Sequence, residues 1–169
     1  ASEDALTWNP IYTYNEGVSN SYIVSLLCVN DKYYMVTRKF MGTEVYSSED
    51  CVTWTLLCGT LPASNFYNFK YINGKFFLVL GNAFYYSDDC ITWANGTISS
   101  SHGSYESTTN IEDICYGTVN GVTGYYVLKN LASKYGFILT RYATFDDLIS
   151  NVAPTVLFQE KNSDTDNYC

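Results

Sequence analysis

The residues able to do chemistry are few and scattered. Carboxylates fall in adjacent pairs at Glu49-Asp50, Asp88-Asp89, Glu112-Asp113 and Asp146-Asp147. Carboxylates are what general acid–base work and glycoside hydrolysis require. Adjacent residues on a strand point to opposite faces, so these pairs are expected to serve in turns rather than as acid–base couples. A glycosidase pair drawn from separate loops stays open. The single histidine, His102, lies in a Ser- and Thr-rich stretch from Ser99 to Asn110. That composition favours a solvated loop, and nothing indicates the partners of a Ser-His-Asp triad. The six cysteines (Cys28, Cys51, Cys58, Cys90, Cys115 and Cys169) show no Cys-x-x-Cys spacing. With one histidine, this argues against a zinc site. Free, mostly buried thiols are expected ahead of a disulfide framework, which a chain of this size does not need. No Gly-rich phosphate loop is present. Asn95-Gly96-Thr97 has the pattern of a glycosylation sequon, which matters only on a eukaryotic secretory route. The expectation is no catalytic set, no metal and no cofactor.

Charge and composition narrow the class further. The 169 residues carry a formal net charge of −8, and an acidic surface repels phosphate backbones, so nucleic acid is disfavoured as a partner. No apolar run approaches the roughly 18 residues of a membrane span, and the opening residues lack the order of a signal peptide. The 17% aromatic content, with 17 tyrosines, suits half-buried pleated surfaces and leans all-β.

The elements that position these residues repeat. Ser48-Glu49-Asp50-Cys51-Val52-Thr53-Trp54 recurs as Ser87-Asp88-Asp89-Cys90-Ile91-Thr92-Trp93, and the chain opens on Ser2-Glu3-Asp4-Ala5-Leu6-Thr7-Trp8. Phe145-Asp146-Asp147-Leu148-Ile149-Ser150 reads as a worn fourth copy. Asp4, Asp50, Asp89 and Asp147 follow one another at 46, 39 and 58 residues, near the period of propeller blades. Each unit carries an apolar run, a polar turn and an aromatic run: Tyr22 to Val29, Asn30-Asp31, Tyr33 to Val36; then Phe66 to Ile72, Asn73-Gly74, Phe76 to Leu80; then Ile111 to Tyr116, a longer turn through Asn120-Gly121 and Gly124, Tyr125 to Leu128. Asn-Gly between apolar runs predicts hairpins. Third strands are expected at Glu44 to Ser47, Phe84 to Tyr86 and Phe137 to Tyr142, with a fourth starting at each tryptophan, and no helix. Ser and Asp in the heptad can bond backbone groups inside a tight turn, and the tryptophan supplies apolar surface.

These copies resemble the Asp-box, or BNR, repeat of sialidases and related propellers. They look closest to the short form, Ser-x-Asp-Gly-x-Thr-Trp, of bacterial and bacteriophage tail repeat proteins. Ser2, Asp4, Thr7 and Trp8 match it, as do Ser48, Asp50, Thr53 and Trp54, and Ser87, Asp89, Thr92 and Trp93, and the resemblance covers about residues 1 to 150. The family's turn glycine is replaced by Ala5, Cys51 and Cys90. Either the turn differs, or a left-handed residue there is tolerated at a cost on the order of 1 kcal/mol. Cys51 and Cys90, in equivalent places of neighbouring blades, are expected to be unbridged. Sialidases of this resemblance clamp a carboxylate with three arginines. Only Arg38 and Arg141 are present, so sialidase activity is disfavoured.

The expectation is an all-β partial β-propeller of about three four-stranded antiparallel blades with one extra N-terminal outer strand. Residues 1–8 form the outer strand of a preceding or closing blade, 9–54, 55–93 and 94–150 the blades, and 151–169 a tail or closing strand. Three blades are fewer than the four to eight that close a ring. A larger polypeptide, self-association of two copies, the N-terminal strand or segment 155–160 are the ways to complete it. Loops on a rigid scaffold commonly bind, and those expected on the face opposite the heptads hold Tyr12, Tyr14, Tyr67, His102 and Tyr105. The functional expectation is a non-enzymatic recognition or structural module of a virion or cell surface, contacting a glycan or protein surface. A glycoside hydrolase fragment and an intracellular propeller assembly factor are the alternatives.

Overall fold

A computed structural model describes residues 22–39, 42–61, 68–81, 83–98, 108–131, 136–152 and 154–159. Strands β1 (Tyr22–Val29), β2 (Lys32–Lys39), β3 (Gly42–Ser48) and β4 (Thr55–Leu61) form one antiparallel sheet in chain order. Strands β5 (Asn68–Ile72), β6 (Lys75–Leu80), β7 (Ala83–Ser87) and β8 (Ala94–Thr97) form the second. In the third lie β9 (Thr108–Val119), β10 (Val122–Leu131), β11 (Phe137–Tyr142) and β12 (Thr155–Gln159). Three four-stranded meanders side by side are the blades of a partial propeller.

Two-residue turns start each blade. Asn30-Asp31, Asn73-Gly74 and Asn120-Gly121 all hold both residues at positive φ, from 47° to 83°. That is the requirement of the type I′ turn, whose twist matches the strands it joins. Asn, Asp and Gly tolerate it best. In the third blade the pairing runs right up to this turn, from Val122 opposite Val119 to Leu131 opposite Thr108. The longer turn expected there is therefore absent. Gly124 lies inside β10, where an added Cβ would press on the carbonyl oxygen of Tyr142.

The middle blade explains its own sequence. Phe76 and Leu78 of β6 pack toward the first blade with Val36, Val45, Leu61, Phe69 and Cys90. Phe77 and Val79 pack toward the third with Phe84, Ile98, Ile111, Ile114, Val127 and Tyr142. A strand buried on both faces reads as an unbroken apolar run, here Phe76 to Leu80. Each such side chain contributes roughly 1.5–3 kcal/mol by leaving water. The outward faces are different. Leu26 stands four residues before its turn as Phe69 does before its own, yet Leu26 is 55% exposed and Phe69 2%. On the third blade Phe158 is 50% exposed.

Three expectations are corrected. The blades run past Trp54 and Trp93, because β4 pairs with β3 and β8 with β7; the boundaries at 54/55 and 93/94 cut off each fourth strand. Likewise β12 pairs with β11, so the third blade does not end at 150. The worn fourth heptad is a helix, α1 (Phe145–Ser150), where no helix was expected. Thr144 Oγ1 accepts the Asp147 N–H at 3.1 Å, and Asp147 Oδ2 accepts the Thr144 N–H at 3.1 Å. This is a capping box. In the true heptads the carboxylate follows the hydroxyl by two residues; Asp147 follows Thr144 by three, the spacing that caps a helix. Leu148 then buries itself against the second blade.

Candidate functional site

The two described heptads are the same small machine. Ser48 Oγ donates to Asp50 Oδ1 at 2.9 Å and accepts the Asp50 N–H at 3.2 Å. Asp50 Oδ1 accepts the N–H groups of Val52 at 2.8 Å and Thr53 at 2.7 Å. In the second, Ser87 Oγ donates to Asp89 Oδ1 at 3.0 Å, and Asp89 Oδ1 accepts from Ile91 at 2.8 Å and Thr92 at 2.9 Å. The indole N–H of Trp54 donates to the Cys51 carbonyl at 3.2 Å, and that of Trp93 to the Cys90 carbonyl at 3.1 Å. Ser48, Asp50, Thr53 and Trp54 thus act together, as do Ser87, Asp89, Thr92 and Trp93, with Thr contributing its backbone amide.

The position between them keeps the left-handed turn. Cys51 has φ 60° and Cys90 φ 62°, so the strain is tolerated and the turn is not remodelled. Oδ1 of Asp50 and of Asp89 braces that turn by accepting the two backbone N–H groups that follow it. Both thiols are free, as are Cys28, Cys58 and Cys115, but among these described cysteines only Cys90 is buried, which corrects the expectation of mostly buried thiols. Burial, then the Asp89 charge, pushes the Cys90 thiol far up, which keeps it protonated and inert. The amides of Thr53 and Val52 hold the Asp50 carboxyl at about 2, and those of Thr92 and Ile91 lower Asp89. Such carboxylates stay ionised at neutral pH, and neither is set up as a general acid.

Ser2, Asp4, Thr7 and Trp8 of the N-terminal copy lie outside the described residues, as do Tyr12, Tyr14, Tyr67, His102 and Tyr105. Among the described residues, no group of three or more His, Cys, Asp or Glu is placed to hold a metal.

A second feature was not singled out from the sequence. Where the inner strands β1, β5 and β9 approach their turns, a cleft of about 390 Å³ opens, lined by Leu27, Lys70, Tyr71, Asn73, Cys115 and Tyr116 among others. Its volume falls in the roughly 300–1,000 Å³ range of ligand sites. Lys70 Nζ donates to Asp113 Oδ1 across the second junction and lies 3.5 Å from the Ile114 carbonyl oxygen. Asn73 Nδ2 donates to the Tyr125 hydroxyl at 2.9 Å. Tyr71 rests on Phe76 and Tyr116 on Tyr125, each with ring centroids 4.8 Å apart. The signal available was a tyrosine in each of two successive first strands, two residues before the turn in β5 and four before it in β9. The loops on the opposite face had drawn the expectation instead.

The family model of the DUF6242 beta propeller domain matches residues 2–127. No curated protein and no solved structure matches the chain.

Proposed function

The chain belongs to the DUF6242 beta propeller domain family, and from that premise we propose that it is a non-enzymatic recognition or structural module. We further infer that its heptads are Asp-boxes that staple the third strand of a blade to its fourth. The observation that carries this reading is the use of Asp50 and Asp89. Each turns one carboxylate oxygen onto two backbone amides and a serine hydroxyl. The repeated carboxylates are thereby structural, and what they brace is a rigid set of blades with a cleft along its inner strands.

Rigid scaffolds that display tyrosine and asparagine at an open cleft suit recognition, because little side-chain freedom is lost on binding. The short-box resemblance and the acidic, tyrosine-rich composition support a place at a virion or cell surface, with a glycan or protein as partner. The test pairs two assays on the same preparation. The purified chain is incubated with an oligosaccharide panel and followed for new reducing ends, and it is screened for retention on a glycan array. Retention without hydrolysis is the expected result; sustained turnover of any panel member would overturn the proposal.

A further inference from the structure

Resting on that recognition reading, we infer that the cleft at the turn-side ends of β1, β5 and β9 is a binding site for a neutral saccharide. Three properties of the cleft converge on this ligand class. The first is aromatic. Tyr71 and Tyr116 are 40% and 41% exposed, and each ring is backed by another, Phe76 or Tyr125. Each pair is tilted, at 53° and 54°, so two partly exposed tyrosines from neighbouring blades are each anchored against a second ring. The C–H face of a pyranose is apolar and nearly flat while its rim is all hydroxyl, and a tyrosine offers the matching combination of ring face and polar tip.

The second property is charge. Lys70 is the ammonium in the lining, and Asp113 neutralises it. A phosphate, sulfate or carboxylate entering the cleft would meet Asp113 beside Lys70, on a chain whose net charge is −8. A cation would find the Asp113 carboxylate already engaged. An uncharged polyol has neither conflict, because its hydroxyls both donate and accept.

The third is the supply of hydrogen-bonding groups. Asn73 commits its NH₂ to Tyr125, which leaves its amide oxygen as an acceptor toward the cleft. Lys70 has three N–H donors, of which Asp113 and the Ile114 carbonyl take two. The tyrosine hydroxyls can do either. Cys115 adds no covalent chemistry: desolvation, then the Asp113 charge, raises its thiol.

The experiment uses the full chain and a panel of neutral trisaccharides, gluco-, galacto- and manno-configured and N-acetylated, beside sialylated and sulfated counterparts. Binding is read by saturation-transfer NMR and by titration calorimetry. Tyr71→Ala and Tyr116→Ala should each weaken a neutral ligand at least about tenfold, the loss expected of a truncated aromatic anchor. Tyr71→Leu, which keeps an apolar contact on Phe76 but lacks the flat face, should weaken it similarly with an unchanged melting temperature. Tyr71→Phe should stay within about threefold, since the ring face remains. A neutral ligand held equally by all variants would overturn the assignment while leaving recognition standing. A panel in which only acidic members bind, or none, overturns it as well; hydrolysis of a member would instead sink the non-enzymatic reading.

Discussion

Cys51 and Cys90 occupy the same left-handed position of two heptads, and the same substitution should move stability in opposite directions. A left-handed backbone costs a residue with a Cβ about 1–2 kcal/mol. Replacing either cysteine by glycine removes that cost, while the freer unfolded chain takes back about 0.4–1 kcal/mol. The net gain at the backbone is about 0.5–1 kcal/mol. Cys51 is only partly buried, so Cys51→Gly should show most of that gain. Cys90 is 0% exposed and packed among Phe69, Phe76 and Leu78. Removing its side chain forfeits about 0.8 kcal/mol for the methylene, a similar amount for the sulfur, and roughly 24 cal/mol per Å³ of whatever cavity remains. That loss of about 2–3 kcal/mol exceeds the gain, and Cys90→Gly should destabilise by about 1–2 kcal/mol. Urea unfolding of the three proteins is the assay. With a slope of about 2 kcal/mol per molar, the midpoint should rise by about 0.3–0.5 M for Cys51→Gly and fall by about 0.5–1 M for Cys90→Gly. Equal shifts of one sign would refute the reasoning, since the two sites share a left-handed backbone and differ in how deeply the side chain is buried.

Other perturbations follow from the same geometry. Asp50 is held at about 2 and Asp89 is lowered, against about 3.9 in an unfolded chain; the unfolded state takes up protons first as pH falls. Stability should therefore be complete above about pH 4 and decline toward pH 2, and the Asp50→Asn, Asp89→Asn double variant should show a flatter melting-temperature profile across that window. Phe69→Ala should cost about 3–5 kcal/mol, and Leu26→Ala, at the corresponding but exposed place, under about 1 kcal/mol by chemical denaturation; equal costs would mean that the first blade's outward face is covered. Gly96→Ala drives a methyl into the Phe84 ring and should destabilise by about 1–3 kcal/mol. Gly117→Ala, whose Cβ would meet nothing within 4 Å, should stay within about 0.5 kcal/mol.

What could be read from the sequence is what is local in the chain. The bonds that the Ser, Asp and Trp side chains make within a heptad join residues two or three apart, so the turn is specified locally. The type I′ dipeptides likewise need only themselves, which is why the hairpins fall where Asn-Asp and Asn-Gly stand. The third blade defeats the pattern through one step of spacing: Thr144 with a carboxylate at Asp147 caps a helix, and no Thr-Trp follows to continue a strand. The cleft is the opposite case. Lys70 reaches Asp113 across 43 residues and Asn73 reaches Tyr125 across 52, and neither pairing leaves a trace in local spacing. Such contacts exist only once the blades stand side by side. Repetition reveals the scaffold because every blade must solve the same packing problem. Recognition rests on departures from the repeat: Cys115 of β9 stands opposite Tyr126 where Lys70 of β5 stands opposite Phe77, so only one of these two strands supplies an ammonium there. The cleft is therefore legible as a difference between neighbouring blades, and only after their register is known.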